Sequence, residues 1–286
     1  MARHRDDLPV RRAQAVDLAR SVPYGLLIPL ETSVLLTIAI KRYDASGLVK
    51  GVVAAAAGIG MLASPVVTAA TRRVGRPVMV VAAMVTLAGA AGMALAALGP
   101  LAIFVFGSVI GIASYSAIQT LMTVSYQQNY PAGELGKRVG RSLVVRVAVS
   151  ATAGLVFGGL LRSSIGNWRW VVLAGVGALA AMALGHMMMP SEPLPPTDVR
   201  NRIWPHFHLL GEDRQLRLTL TAWMMMGFGN LALLPLRVEY LTNDRYGIHA
   251  DAGRITMLTV TLPAVVRLVM LPWFGRVFDR MSFFSA

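Results

Sequence analysis

The sequence contains eight apolar segments, and their length is the feature that most constrains the fold. A run of about 20 apolar residues is long enough to cross the ~30 Å hydrocarbon core of a bilayer. Because backbone polar groups must be paired within lipid, each segment is predicted to be an α-helix. We therefore expect an all-α, polytopic membrane protein whose spans cover about residues 18–40, 51–70, 77–98, 101–124, 142–162, 168–189, 217–240 and 254–274.

The composition supports a membrane protein and argues against two other classes. Hydrophobic residues make up 55% of the chain and charged residues only 14%, whereas a soluble domain carries about 25% charged residues. The net charge of +13 would suit a nucleic-acid binder, but the basic residues alternate with apolar segments and form no single patch. No nucleic-acid partner is therefore expected. The chain has no cysteine, which excludes disulfides and thiolate metal sites.

The distribution of Lys and Arg predicts the orientation of the chain. With the N-terminus inside, the inner regions hold seventeen Lys and Arg residues and the outer loops hold seven. Cytoplasmic loops of membrane proteins are enriched in these residues. We therefore expect a multi-pass protein of the cell (inner) membrane with a cytoplasmic N-terminus.

Two short, similar stretches lie six spans apart. The first segment contains IPLE at 28–31 and the seventh contains LPLR at 234–237, and each segment is followed by a loop with an Arg-Tyr pair. Six spans between the copies give them the same orientation, which is the arrangement of transporters built from parallel repeats. Chance similarity between apolar helices is the alternative explanation.

A basic turn follows the second segment of each half of this repeat, at 72–77 and at 275–282. Arginine and aspartate at helix ends can form charge-assisted hydrogen bonds with neighbouring helix termini, and such bonds would hold the inner side closed. The simpler explanation is that the arginines only set the topology. The residues predicted to control conformation are Arg73, Gly75, Arg76, Gly275, Asp279 and Arg280.

These turns and two further motifs resemble those of the major facilitator superfamily. The family's inner turn follows G-x-x-x-D-R-x-G-R-R, which the second turn matches better than the first, where Arg72 takes the aspartate position. Residues 167–170 (NWRW) resemble the start of the family's sixth helix, whereas the fourth-helix pattern R-x-x-Q-G is not met. The fifth segment resembles G-x-x-x-G-P-x-x-G-G without its first glycine and its proline, and its matching glycines are Gly154, Gly158 and Gly159.

The resemblance implies a fold of two six-helix bundles, of which this chain supplies eight helices. The expected organisation is a six-helix bundle at 1–190, a cytoplasmic linker at 191–216 and the first two helices of a second bundle at 217–286. The chain is accordingly expected to be truncated after the eighth helix.

The resemblance also implies a secondary transporter that moves a small solute by alternating access, coupled to a proton or solute gradient. The alternative is a truncated or degenerate membrane protein that does not transport and has a sensing or interaction role. The sequence has no G-x-x-x-x-G-K-[ST], H-E-x-x-H or G-x-S-x-G motif, so neither ATP-driven transport nor an enzyme is expected. The expected partners are a small-molecule substrate, the lipid bilayer and protons. No cofactor or metal is expected, and no signal sets an oligomeric state.

Charged residues inside the spans are the first candidates for a functional site, because a charge buried in a bilayer costs ~2.5 kcal/mol or more. Glu31 is interpreted as a proton-coupling acid or a contact for a cationic substrate, or alternatively as a structural ion-pair partner. Arg237 occupies the equivalent repeat position, so the two side chains are predicted to meet as a gate near the outer mouth. Arg267 is predicted to face a cavity or a partner, and Glu239 to be solvated. Arg146 is predicted to reach the inner surface, with substrate binding as the alternative role.

Polar or amphipathic residues in the fourth and seventh segments form a second group of candidates. The resemblance implies that these helices line a central cavity, where the side chains would contact substrate. Packing and interhelical hydrogen bonding are the alternative role. His206 and His208 give only a weak metal signal, since no cysteine or carboxylate cluster accompanies them. The residues of this group are Tyr115, Gln119, Trp223 and Asn230.

Overall fold

The computed structural model describes residues 3–131, 133–195 and 209–280. Seven of its helices are long and apolar enough to span a membrane, and a bent helix pair makes an eighth span if it is counted as one. Within the described ranges all regular structure is helical, apart from one isolated bridge between Pro77 and Pro193. The prediction of an all-α, polytopic membrane fold is confirmed.

Helix α1 is longer than predicted and contains an interruption. It comprises Arg3–Pro29, the π-helical segment Leu30–Val34 and Leu35–Tyr43. Pro29 has no N–H to donate to the preceding turn, which favours a break in the regular hydrogen-bond ladder at this point. The predicted start at about residue 18 is wrong, because α1 already includes Asp17 and buries its side chain completely.

Helices α2 and α4 each consist of two consecutive pieces. Helix α2 comprises Gly47–Ala54 and Ala56–Val74, with a bend of 48° between them. It ends at Gly75, whose φ of 65° is a left-handed conformation that glycine adopts without steric cost. Helix α4 comprises Leu101–Ala117 and Gln119–Asn129.

The other three helices of the first six are continuous. Helix α3 is Val78–Ala96, helix α5 is Leu135–Ser163, and helix α6 is Trp168–Met188 after the 3₁₀ turn Ile165–Asn167. Helix α5 begins before the predicted start at about residue 142, since residues 135–141 are already helical.

The last two spans are α7 and α8. A short helical turn, Leu209–Glu212, precedes α7, which is Arg214–Thr242. Helix α8 comprises Ala252–Thr256, the π-helical segment Met257–Thr261 and Leu262–Arg280.

The predicted linker at 191–216 and the second basic turn are described only in part. Residues 191–195 lie against the start of α3, where Val78 N donates to Glu192 O at 3.2 Å. The predicted histidine pair at 206 and 208 lies outside the described residues, as does the basic turn beyond Arg280. The described part of that turn, with Gly275 and Asp279, continues α8 as a helix. The division into two bundles stays a prediction.

The helix ends form two faces of the molecule. The basic face contains the α2–α3 turn, the α4–α5 connection and the segment that follows α6. Asn129 joins two of these connections, because its side-chain amide donates to Pro190 O at 2.8 Å. Arg73 and Arg76 are exposed on this face and form no ion pair within the described ranges. Their conformational role stays a prediction.

The opposite face contains the α1–α2, α3–α4 and α7–α8 connections. Tyr43 OH donates to Gly99 O at 2.5 Å, and the Tyr43 ring lies 5.8 Å from the Trp168 ring, centroid to centroid. Lys41 Nζ donates to Ala250 O at 3.0 Å, which ties α1 to the connection between α7 and α8. The end of α1 thus contacts the α3–α4 connection, α6 and the α7–α8 connection, and these contacts close the opposite face.

Helices α5 and α8 pack closely because α5 presents small residues to its neighbour. A Cβ added to Gly158 would overlap Thr256 Oγ1, and one added to Gly154 would lie 3.1 Å from Val260 Cγ1. These are two of the three glycines of the fifth-helix motif. The third, Gly159, has no atom within 4 Å of an added Cβ, so only two of them are needed for this contact.

Candidate functional site

Glu31 lies in the π-helical segment of α1 and turns towards α4. Its carboxylate accepts a hydrogen bond from the Tyr115 hydroxyl, and Tyr115 is itself almost fully buried. π-Helical interruptions of this kind often occur at functional sites, because they change the direction of one side chain without breaking the helix. Two residues that were predicted separately from the sequence are thus in direct contact.

Tyr24 joins this pair to Gln119, one turn further along α4. The rings of Tyr24 and Tyr115 meet edge to face with centroids 5.4 Å apart, and Gln119 Nε2 donates to the Tyr24 hydroxyl at 2.8 Å. The predicted residues Glu31, Tyr115 and Gln119 therefore form one cluster. Tyr24 was not predicted, although it lies seven residues before Glu31 and so on the same face of α1.

The prediction that Arg146 reaches the inner surface is wrong. Its side chain points inwards and is only 14% exposed, with Cζ 4.4 Å from the centroid of the Tyr24 ring. Nη2 donates to the Tyr126 hydroxyl at 2.7 Å, and Nε donates to Ser21 Oγ at 3.3 Å. These polar partners and the ring face hold the guanidinium in the interior, so it does not extend to the basic face.

Asp17 is the centre of a second polar cluster, on the basic-face side of Tyr24. Its carboxylate is completely buried, forms an ion pair with Arg20 and accepts a hydrogen bond from the Ser142 hydroxyl. Tyr126 OH donates to Asp17 Oδ1 at 3.1 Å, and Arg146 Nη2 lies 3.7 Å from the same oxygen. Three helices, α1, α4 and α5, supply these side chains.

Arg20 extends this cluster to α6. Its Nη2 donates to the Tyr126 hydroxyl at 3.0 Å, and its Nη1 approaches Met122 Sδ at 2.7 Å and His186 Nδ1 at 3.1 Å. His186 is only 1% exposed. Sequence reasoning missed Asp17, Arg20 and His186 as site residues. It began the first apolar segment after Asp17, counted Arg20 among the basic residues of the inner side, and looked only for paired histidines.

One sequence signal could have revealed Asp17 and Arg20 as site residues. Asp17, Arg20, Tyr24 and Glu31 are spaced by three, four and seven residues, which places all four on one face of a helix. On this face of α1 they form a polar line. It runs from the Asp17 cluster, past Tyr24 and Arg146, to Glu31.

The predicted site residues on α7 and α8 do not contribute to this polar line. Asn230, Arg237 and Trp223 have exposed side chains on α7. No ion pair joins Glu31 to Arg237 in the described part of the chain, so the predicted gate pair is not formed in this structure. Arg267 is exposed on α8, beside a shallow pocket of about 360 Å³ lined by Pro263, Val266, Arg267, Met270 and Leu271.

A different ion pair joins α2 to α7 on the opposite face. Lys50 Nζ lies 2.7 Å from Glu239 Oε2, and Asn243 Nδ2 donates to the other carboxylate oxygen at 2.9 Å. Glu239 is therefore bonded on both oxygens and partly buried, and the expectation that it is solvated is wrong. Together with the bond between Lys41 and Ala250, this pair joins the first two helices to α7 and the α7–α8 connection.

Helix α8 begins at the same face with a capped end. Asp251 Oδ1 accepts a hydrogen bond from Arg254 N at 2.9 Å, and its carboxylate also lies 3.7 Å from Arg162 of α5. The bond from the Arg254 backbone, together with Arg162, lowers the pKa of Asp251 below its ordinary value. The carboxylate therefore stays charged and stabilises the helix N-terminus.

Helix α7 separates from the first six helices towards the basic face. Every described side chain from 211 to 226 is exposed, whereas Val238 and Thr242 near the opposite face are buried. Val238 packs with Leu36 of α1 and Ile255 of α8. Contacts between α1 and α7 are thus concentrated at the opposite face.

These features define the class of the protein. An all-α chain with seven or eight membrane-length helices and a polar line among its first six helices is a polytopic membrane protein, and the family match that follows identifies it as a transporter rather than an enzyme. The model of the Major Facilitator Superfamily matches residues 32–285, which is most of the chain. The chain belongs to this superfamily, as the sequence motifs indicated.

One solved structure shows the same fold. The crystal structure of a D-xylose-proton symporter superposes with a TM-score of 0.61 at 14% sequence identity, covering 95% of this chain and 70% of that chain. At this identity the similarity demonstrates the fold alone. A search of curated proteins found no match.

Proposed function

We propose that the protein moves a small solute across the membrane by alternating access and that Glu31 binds and releases the coupling proton. The observation that carries this proposal is the contact between Glu31 and Tyr115. Glu31 has no ion-pair partner among the described residues, so its negative charge would be uncompensated in the membrane interior. A proton can neutralise that charge, and Tyr115 provides a hydrogen-bond partner at the same position.

The arrangement of the two faces supports alternating access. The bonds from Lys41 and Lys50 close the opposite face, while α7 lies away from the first six helices at the basic face. Transporters of this plan rock one bundle against the other around a central site. Glu31 and Tyr115 lie on α1 and α4, on the interior side of this closure. The arrangement therefore corresponds to a state that is open at the basic face.

The orientation follows from the charges of the two faces. The regions predicted to be inside, which are the connections of the basic face and the two termini, hold seventeen Lys and Arg residues against seven in the outer loops, as the positive-inside rule requires of a cytoplasmic surface. We propose that the basic face is cytoplasmic, that the N-terminus is cytoplasmic, and that the protein resides in the cell (inner) membrane. The open state is then inward-facing.

Transport by the purified protein in liposomes tests the proposal. A panel of radiolabelled sugars, amino acids and organic acids is offered with an imposed pH gradient and, in parallel, without one. We expect at least one solute to accumulate in wild-type liposomes only when the gradient is present. Glu31→Gln is expected to lose this accumulation but to keep exchange of the same solute in the absence of a gradient, since the amide cannot exchange a proton with water.

A matched control separates proton coupling from a general effect of removing an acid. Glu134 is an exposed carboxylate at the start of α5, paired with Arg138, and Glu134→Gln should transport like the wild type. Gradient-driven accumulation that persists in Glu31→Gln would remove Glu31 from proton coupling. No accumulation of any solute would favour the non-transporting alternative.

A further inference from the structure

The Asp17 cluster, inside the first six helices, contains an unbalanced positive charge. Two guanidinium groups, Arg20 and Arg146, share the single carboxylate of Asp17. Arg20 forms the closer ion pair, and Arg146 lies 3.7 Å from the same carboxylate oxygen. Arg146 is therefore the surplus cation of the Asp17 cluster.

The other polar groups of the cluster do not supply a second negative charge. Tyr126 donates its hydroxyl proton to Asp17 and accepts from both arginines, so it serves as a neutral phenol. His186 Nδ1 lies opposite an arginine N–H, which can only donate, so this ring nitrogen acts as an acceptor and the ring is neutral. Glu31 lies with Tyr115 at the other end of the polar line, and it supplies no negative charge when it holds the proposed coupling proton.

The position of Arg146 makes it accessible to a ligand. Its side chain is 14% exposed, and its Nη1 group forms no hydrogen bond within the described part of the chain. The Tyr24 ring covers one face of the guanidinium. A ring face attracts a cation but supplies no counter-charge, so the interaction offsets only part of the cost of burial.

One further donor, the hydroxyl of Tyr24, lies beside Arg146. The Tyr24 hydroxyl accepts a hydrogen bond from Gln119 at 2.8 Å, which leaves its own proton available to donate. Both Tyr24 and Gln119 are partly exposed. A cation with free N–H groups, next to a hydroxyl with a free proton, is the donor set that a small anion requires.

We propose that Arg146 and Tyr24 form an anion subsite, supported by Gln119, and that the transported solute carries a carboxylate. A single surplus charge matches a monoanion, and the planar guanidinium can bind both oxygens of a carboxylate at once. This inference rests on the proposed transport function, because it names the class of solute. The Tyr24 ring of the subsite contacts the Tyr115 ring, and Tyr115 donates to Glu31, so the anion and the proton bind to neighbouring positions.

Thermal unfolding of the purified protein in detergent tests the subsite without any transport assay. The probes are formate, acetate, lactate and benzoate, each compared with its neutral amide at constant pH and ionic strength. We expect at least one carboxylate to raise the Tm of the wild type in a saturable way while its amide does not. The shift should disappear in Arg146→Gln and should need roughly ten-fold more ligand in Tyr24→Phe, which keeps the ring but removes the hydroxyl.

The control variant is Arg141→Gln, which removes an exposed arginine from the same helix. It should respond to the carboxylate like the wild type. If Arg146→Gln does not fold, Tyr24→Phe together with Gln119→Leu decides the question, because neither removes a charge. Equal shifts by carboxylates and amides in the wild type, or an unchanged carboxylate shift in Arg146→Gln or in both neutral variants, would overturn the subsite.

The outcomes for the subsite and for proton coupling are independent. Gradient-driven uptake of a neutral solute that depends on Glu31 would overturn the subsite and leave the proposed transport function standing. Carboxylate binding that depends on Arg146, without gradient-driven uptake, would support the subsite and contradict the proposed function.

Discussion

Lys50 of α2 and Glu239 of α7 form an ion pair of 2.7 Å on the face opposite the basic turns. The sequence contains both residues in or next to apolar segments but gives no indication that they meet. Their side chains are 17% and 22% exposed, so the pair lies in a partly desolvated position. It joins the first six helices to α7 at the face where their contacts are concentrated, which makes it a candidate gate.

Breaking this pair should open the face. In Lys50→Gln the attraction to Glu239 is lost, which destabilises the closed state by up to about 1 kcal/mol. The population of molecules open at this face should therefore rise up to roughly five-fold. The chain has no cysteine, so a single Thr32→Cys reporter next to Glu31 can be labelled with an impermeant maleimide added to intact cells. Labelling should be faster in Lys50→Gln than in the parent.

The control for this gate is Arg245→Gln, which removes an exposed cation from the same face. It should label at the parental rate. Equal labelling rates in all three proteins would show that the pair does not limit access. The charge exchange Lys50→Glu with Glu239→Lys should restore slow labelling, since it recreates the ion pair.

Tyr115→Phe should impair proton coupling and leave solute binding intact. The substitution removes only the hydroxyl that donates to Glu31. A hydrogen bond to a charged group contributes about 1.5–3 kcal/mol, so gradient-driven uptake should fall by roughly ten-fold or more. Uptake and gradient-free exchange measured in the same liposomes separate the two effects. Tyr240→Phe, at an exposed position of α7, is the control. An equal loss of exchange and uptake in Tyr115→Phe would point to a structural role.

Asp17→Asn should strongly destabilise the protein. Asp17 is completely buried beside Arg20 and Arg146, so the amide would leave two buried cations without a counter-charge. Removing one partner of a buried ion pair costs about 3–5 kcal/mol. Glu134→Gln removes a carboxylate from an exposed pair and should cost about 1 kcal/mol or less. Free energies of unfolding from detergent denaturation measure the difference, and similar losses in both variants would contradict the central role of Asp17.

Gly158→Ala and Gly159→Ala should change the stability of the protein in opposite directions, although the two glycines are neighbours on α5. A methyl group at Gly158 would overlap Thr256 of α8, and overpacking of this kind costs about 1–3 kcal/mol. A methyl group at Gly159 meets nothing within 4 Å, and alanine is the better helix former by up to about 1 kcal/mol. Melting temperatures of the two variants are the measurement. Equal destabilisation would contradict the packing of α5 against α8.

The helical fold was predictable because membrane-length apolar segments leave few alternatives. Segment boundaries were less predictable at α1, where the charged residues near its start suggested a polar tail. Asp17 and Arg20 are buried only because Tyr126 of α4, Ser142 of α5 and His186 of α6 surround them. No local property of the sequence records these partners, so the length of α1 was underestimated.

The candidate site could be predicted only in part, again because the sequence does not record which side chains meet across helices. Glu31 is conspicuous because a carboxylate in an apolar segment is costly, but the repeat suggested Arg237 as its partner. The packing of α4 against α1 brings Tyr115 to it instead. Arg146 was assigned to the surface from its distance to the helix end. The direction of its side chain depends on Tyr24 and Tyr126, which the sequence does not place beside it.

The proton at Glu31 can be observed directly by infrared difference spectroscopy of the reconstituted protein. Spectra recorded at acid and alkaline pH are subtracted for the wild type and for the variants Glu31→Gln, Tyr115→Phe and Glu134→Gln. The predicted result is a C=O band of a protonated carboxyl group that changes with pH in the wild type and in Glu134→Gln, is absent from Glu31→Gln, and shifts in frequency in Tyr115→Phe. Difference spectra that are identical for the wild type and Glu31→Gln would contradict proton binding at this residue.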